Sequence, residues 1–218
     1  MEIKLKKRGL FIVIEGIDRS GKSTQCQKIY EYLIKKNEKI EQWKYPDRNG
    51  DIGKLIDNYL KNQSEKSDQA IHLLFSADRW EKNKLLQNKL ESGINIVCDR
   101  YAFSGVAYSS AKGLDLEWCK STDSGLISPD VVIYLDLDPK EAQNRSSYGE
   151  ERYEKLTFQS QVSKQFDKLK DDLWKVIDSN NNNVESTFKE IQIKIDELLK
   201  KREEEKDLEI KKLWIKKD

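Results

Sequence analysis

The chain has 218 residues, 37% of them hydrophobic and 36% charged, which is enough for one core of ordinary domain size. Lys and Arg (40) nearly balance Asp and Glu (39), so a broad basic face for nucleic acid is not implied, although local basic pockets remain open. No apolar run reaches the ~20 residues that span a bilayer, and Cys26, Cys98 and Cys119 have neither disulfide-framework nor zinc spacing. The basic start MEIKLKKRG lacks an apolar stretch and a cleavage signal, so the expected setting is cytoplasmic, with buried thiols.

In chain order, Phe11–Glu15 is short, apolar and β-branched, and predicts a buried parallel strand. A helix follows over Lys22–Lys35, with Ile29, Leu33 and Ile34 on one side. Ile40–Lys44 predicts a second strand, closed by Pro46. Ile52–Leu60 and Ser67–Leu90 predict helices, and Ile94–Cys98 a third strand running into Asp99 and Arg100. Short helices are expected at Phe103–Lys112 and Leu116–Lys120, and a fourth strand at Val131–Leu135. Pro139 suits the first turn of a helix. The glycine-punctuated SSYGEERYE predicts a loop, Lys155–Leu173 a helix, Trp174–Ile177 a fifth strand, and Val184–Leu199 a last helix. His72, the only histidine, sits in a helical pattern and is expected to be a packing residue. From Lys200 the charge-laced tail predicts a solvated helix with i,i+4 pairs, which Leu208, Leu213 and Trp214 could dock. Alternating strands and helices imply an α/β fold with a parallel sheet covered on both faces.

Between the first strand and its helix, Gly16-x-x-x-x-Gly21-Lys22-Ser23 matches the Walker A phosphate loop. Glycines let successive N–H groups turn inward around phosphate oxygens, and the helix start adds its positive dipole end. Lys22 reaches the β- and γ-phosphates, and the Ser23 hydroxyl ligates Mg²⁺. The loop alone says nucleotide, not reaction. A GTPase needs N/T-K-x-D after a strand. The nearest strings, Asn83-Lys84-Leu85-Leu86 and Asn88-Lys89-Leu90-Glu91, end wrongly and lie in a predicted helix. An ATP-driven machine places a glutamate after the strand-end aspartate. Here Asp99 is followed by Arg100, a cation that suits a second anionic group, an acceptor phosphate.

Arg48 and Arg100 follow predicted strands two and three, and Arg79 lies in a helix. Ligands of open parallel sheets collect at the carboxyl ends of strands, and Arg forks fit phosphate and carbonyl oxygens. Phe75 and Arg79 are four residues apart and share one helical face, which could stack a base and bond its edge.

EGIDRSGKST, YPDRNGDIGKLI, HLLFSADRW, DRYAFSGVAYSSAKG and YGEERYE, in this order, resemble thymidylate kinases of the eukaryotic type, from about Arg8 to Leu199. The resemblance implies a five-stranded parallel sheet with helices on both faces, usually a homodimer, that transfers the γ-phosphoryl group of Mg·ATP to dTMP. It implies a single kinase domain over 1–199, a lid at about 147–153 and a separate tail over 200–218. It places ATP on Gly16, Ile17, Asp18, Arg19, Ser20, Gly21, Lys22, Ser23 and Thr24, with Arg145, Asp178 and Ser179 beside the adenine. Asp18 would hold the deoxyribose 3′-hydroxyl and position Arg19, the expected transition-state cation. Arg48 and Arg100 would bind the acceptor phosphate, Phe75 would stack on thymine, and Arg79 would bond its 4-oxo group. Ser104 and Gly105 would line the base pocket and Tyr108 would crowd the 2′ position. Tyr153 and Gln159 would face the acceptor, and Ser23 and Asp99 would hold magnesium.

Two departures stand out. Tyr45, in the acceptor site, stands where many relatives carry phenylalanine, which adds a hydroxyl there. The tail matches the family poorly except for Leu213-Trp214. The competing reading is another phosphate-loop kinase acting on a different deoxynucleotide or a nucleoside. An inactive nucleotide-binding scaffold is opposed by the presence of Arg19, Lys22, Ser23, Asp99 and Arg100 together.

Overall fold

The computed structural model describes residues 7–145, 151–205 and 209–215. They form β1 (Phe11–Glu15), α1 (Lys22–Lys35), β2 (Ile40–Lys44), α2 (Asp51–Leu60), α3 (Asp68–Glu91), β3 (Asn95–Asp99) and α4 (Ala102–Ala111). There follow α5 (Leu116–Ser121), β4 (Val131–Asp136), α6 (Pro139–Gln143), α7 (Leu156–Asp167), β5 (Trp174–Asp178) and α8 (Val184–Glu204). The five strands are parallel in the order β2-β3-β1-β4-β5.

β1 lies at the centre and every residue of it is buried, so its two-residue period feeds two cores. Leu10, Ile12 and Ile14 meet Cys26, Ile29 and Leu33 of α1 and Ile191 and Ile195 of α8. Phe11 and Val13 meet the opposite layer, with Ile71 and Leu86 of α3, Val106 of α4 and Phe166 of α7. Helices therefore cover both faces, and the carboxyl ends of all five strands point the same way. His72 is buried and bonded to Ser109 Oγ (2.7 Å), Cys119 O (3.1 Å) and Thr122 Oγ1 (3.0 Å), a packing role. The three cysteines are free and buried.

Three expectations change. The helix expected to run to Leu173 stops at Asp167, because Asp171 makes a turn: its carboxylate accepts from Leu173 N (2.9 Å) and its carbonyl from Trp174 N (3.0 Å). The last helix continues past Leu199 to Glu204. Arg202 near its end is buried and forks onto Glu38 (2.6 and 3.0 Å) and Asn95 Oδ1 (3.1 Å), a tertiary contact that holds the extra turn. The tail is not one solvated helix, although Lys200–Glu204 and Lys201–Glu205 do pair at 3.8 and 3.6 Å. Residues 209–215 run back along the loop before β4. Leu213 N bonds Leu126 O (2.7 Å), Gly125 N bonds Leu213 O (2.9 Å), and Ser128 N bonds Lys211 O (2.9 Å). Leu213 is buried, and Trp214 meets the Phe103 ring edge-on at 5.6 Å. Leu208 lies outside the described residues.

Candidate active site

Gly21, at the N-terminus of α1, has φ 97°, a left-handed conformation that glycine adopts at no steric cost. No side chain caps α1, so its first N–H groups remain for a ligand. Together with Asp18 to Thr24 they line one side of a cleft of about 870 Å³ at the carboxyl end of the sheet. Lys22 is 6% exposed and its ammonium bonds Ile17 O (2.5 Å) and Ser20 Oγ (3.3 Å). Burial pushes its pKa down and Arg100 adds to this. Asp99, Asp18 and Glu15 offset only part, leaving it at about 8.

Arg19 and Arg100 are the two non-glycine residues of the site with left-handed backbone, at φ 62° and 68°. Such conformations persist where surrounding contacts hold them. Arg100 bonds Asp18, Gly16 O (3.2 Å) and Ser104 Oγ (3.2 Å). Burial works against ionisation of Asp18, but Arg100 and Lys22 outweigh it and hold the carboxyl below its ordinary value. Gln159 grips Asp18 from behind: its Oε1 accepts from Asp18 N (3.0 Å) and its Nε2 donates to Asp18 Oδ2 (2.6 Å). Gln159 is fully buried and also bonds Tyr153 O (2.8 Å), so it supports Asp18 and does not line the cleft. Arg19 Nε bonds Glu154 Oε1 at 2.8 Å.

Across the cleft, Tyr45, Arg48, Phe75, Arg79, Ser104, Gly105, Tyr108 and Tyr153 all contribute to the wall. Arg48 is forked by Glu151 (2.6 and 3.0 Å) and bonded to Asp57 (2.8 Å). Arg79 lies against Gly105 so closely that a Cβ there would sit 2.7 Å from Nη2, which only glycine avoids. Tyr45 is buried, its hydroxyl has no partner among the described residues, and burial pushes its pKa up. Arg145 spans from the phosphate loop to the residue after β5, bonding Arg19 O (2.7 Å) and Ser179 O (3.2 Å). Ser179 lines the cleft. Asp178 instead holds the following loop, accepting from Asn180 N (2.8 Å) and Asn181 Nδ2 (3.0 Å). Gly16 and Ile17 shape the loop from within and are not on the wall. Of the expected lid, 147–150 lie outside the described residues. Arg152 is turned from the cleft, onto the Tyr59 ring (4.1 Å), Tyr59 O (2.9 Å) and Glu65 (2.7 and 3.0 Å).

A magnesium site is supported by one observation. Asp99 Oδ2 accepts from the Ser23 hydroxyl, while Asp99 Oδ1 is buried without a partner among the described residues. No cluster of three His, Cys, Asp or Glu forms among the described residues. The donor set fits an ion held by one carboxylate, one hydroxyl and substrate phosphates, as Mg²⁺ commonly is.

Glu15 was not anticipated as a site residue. It is fully buried at the end of β1, and burial raises its pKa. It accepts from Tyr101 N (2.9 Å), Ser104 N (3.1 Å) and Ser104 Oγ (2.5 Å), so it caps α4 from another element and sets Ser104 in place. Its signal was a lone charge closing an apolar strand.

The thymidylate kinase family profile matches residues 14–191. The chain belongs to the thymidylate kinase family. It is 46% identical to a thymidylate kinase of Arabidopsis thaliana over 213 residues, 98% of this chain and 80% of that protein. Identity is 56% over 164 residues to the Schizosaccharomyces pombe enzyme (75% and 78% covered) and 42% over 191 residues to the human one (86% and 90%). A solved thymidylate kinase from Candida albicans superposes with TM-score 0.86 at 36% identity, covering 94% of this chain and 98% of that one. The family is one of phosphotransferases, and this chain phosphorylates dTMP to dTDP.

Proposed function

We propose that the cleft works by direct in-line transfer between two bound nucleotides. An oxygen of the dTMP phosphate attacks the γ-phosphorus of ATP, the bond to the bridging β,γ-oxygen breaks, and ADP leaves. The observation that carries this is one continuous cleft with the phosphate loop at one end and Phe75, Arg79 and Arg100 at the other. Asp18–Thr24 hold the triphosphate, with Gly16 and Ile17 shaping the loop from within and Lys22 on the β- and γ-oxygens. Arg145 and Ser179 border the adenine side. Arg48 and Arg100 receive the acceptor phosphate, Phe75 stacks on the base, Arg79 donates to its 4-oxo oxygen, and Ser104, Gly105, Tyr45 and Tyr153 shape the pocket. Tyr108 stands where a 2′-hydroxyl would project. Asp18, backed by Gln159 and paired with Arg100, takes the 3′-hydroxyl and links the donor loop to the acceptor side. Ser23 and Asp99 would hold Mg²⁺, which supplies charge neutralisation on the transferring phosphate when bound.

ADP release, measured with ATP, Mg²⁺ and each nucleoside monophosphate in turn, tests the reading. dTMP should be the best acceptor. dUMP lacks only a methyl and should lose about 1–3 kcal/mol, ~10–200-fold in kcat/KM. dCMP should be worse than dUMP, because its 4-amino donor would face the Arg79 donor. A different monophosphate outrunning dTMP favours the competing kinase reading, and dCMP equalling dUMP removes Arg79 as the base reader.

The same reading includes a homodimer and a cytoplasmic setting. Leu73 and Trp80 lie seven residues apart on α3 and are 50% and 40% exposed, and Leu55 of α2 is 46% exposed. Sedimentation should give twice the 25.6 kDa of the chain, and a monomer at micromolar concentration removes the dimer. Among the described residues no helix is long and apolar enough to cross a membrane.

A further inference from the structure

Arg79 cannot aim itself. Its side chain is 2% exposed, and the carboxylate against it, Asp123, is 0% exposed. Asp123 takes the guanidinium side-on: Nε donates to Oδ1 at 3.2 Å and Nη2 to Oδ2 at 2.6 Å. Among the described residues Nη1 has no hydrogen-bond partner, so of the three nitrogens it is the one with both N–H groups left to donate into the cleft that Arg79 lines. Gly105 forms the floor on which the guanidinium lies flat. A side-on carboxylate and a close floor remove the rotations that an arginine otherwise has.

Asp123 is itself held. The Ser76 hydroxyl, one turn before Arg79 on α3, lies 2.8 Å from Asp123 Oδ1 and 2.9 Å from Thr122 O. Trp80 Nε1 donates to Thr122 O at 2.8 Å. Just after Asp123, the chain is paired to the C-terminal segment through Gly125 and Leu126, and Ser124 Oγ bonds Trp214 O at 2.9 Å. The loop therefore has fixed points on both sides of the carboxylate.

We propose that Asp123 is a positioning residue for acceptor selectivity, fixing the Arg79 guanidinium so that Nη1 meets a 4-oxo oxygen and opposes a 4-amino group. This rests on the reading of Arg79 as the base reader. A buried ion pair is weak evidence for stability, and what this one's two-point geometry supplies is a fixed guanidinium direction. Asparagine at 123 would keep the shape but offer a single acceptor oxygen and turn an NH₂ donor toward a donor. The guanidinium then loses its fixed direction, and selectivity at position 4 falls while ATP binding at the other end of the cleft is untouched.

The test uses dUMP and dCMP, which both lack the 5-methyl and differ at position 4. In Asp123→Asn the ratio of kcat/KM for dUMP over dCMP should fall by about tenfold or more, with KM for ATP within about twofold of the parent. Ser76→Ala removes one donor from Asp123 Oδ1 without leaving a buried charge unpaired, and should lower the ratio by about threefold. It decides the matter if Asp123→Asn does not fold. Arg79→Met, run in parallel, separates the two layers. A ratio unchanged in Arg79→Met overturns the base-reader reading and the proposal with it. A ratio collapsed in Arg79→Met but kept within about twofold in every folded variant of Asp123 and Ser76 overturns the proposal alone.

Discussion

Lys22→Ala is expected to lower kcat by at least ~10²-fold, with the fold intact. Transfer depends on a cation that neutralises and aligns the β- and γ-oxygens, and the Lys22 ammonium is the buried cation of the phosphate loop. Stability should survive, because the change removes a charge that burial already disfavours. The pH profile adds a second test. With its pKa at about 8 in the free chain, Lys22 loses its proton as pH rises through that value. kcat/KM for ATP reports the free enzyme and should fall above about pH 8. kcat reports the complex, where phosphate charge raises the lysine pKa, and should hold to higher pH. Steady-state kinetics across pH checks both. Near-parental turnover of Lys22→Ala, or parallel alkaline limbs in kcat and kcat/KM, rules out this assignment.

What could be read ahead of the structure was what repeats locally. The continuous apolar, β-branched run of Phe11–Glu15, the glycine spacing of the phosphate loop, and the four-residue step from Phe75 to Arg79 announce a strand, a loop and a helix face in turn. The five parallel strands follow from the same alternation. The support behind the site was not legible, because it is made by residues far apart in the chain. Asp123 lies 44 residues from Arg79, and Gln159 141 residues from Asp18. Neither pairing leaves a local pattern. Gln159 reads equally well as a lining residue until its amide is seen gripping Asp18 from inside the core. The tail misled for the same reason. Its charges have i,i+4 spacing, yet Arg202 is drawn to Glu38, 164 residues away, and Leu213 to the loop before β4. Tertiary burial there outweighs a helical propensity worth only tenths of a kcal/mol per pair.

Arg19→Met is expected to cut kcat by at least ~10²-fold while the KM for dTMP changes much less. The charge on a migrating phosphoryl group must be offset where two anions meet, and an arginine can do this from the phosphate loop or from the lid. In the loop, Arg19 stands at the cleft with a left-handed backbone at φ 62°, its neighbour Asp18 locked to Arg100 and Gln159. The turn is thus held from two sides, and in the proposed function it joins both substrates. Glu154 meets Arg19 Nε at 2.8 Å, which balances the cation before nucleotides arrive. In the expected lid, Arg152 is committed elsewhere: it bonds Tyr59 O and Ser64 O, pairs with Glu65 and lies over the Tyr59 ring. Bringing it to the phosphates would break all four contacts. Arg152→Met should therefore cost less turnover than Arg19→Met, and its effect should appear mainly as a lower melting temperature. An interaction that strengthens in the transition state lowers kcat and kcat/KM together when it is lost. That signature is expected of Arg19 alone of the two. If Arg152→Met is the more damaging to kcat, the catalytic cation comes from the lid and the loop arginine serves only to bind.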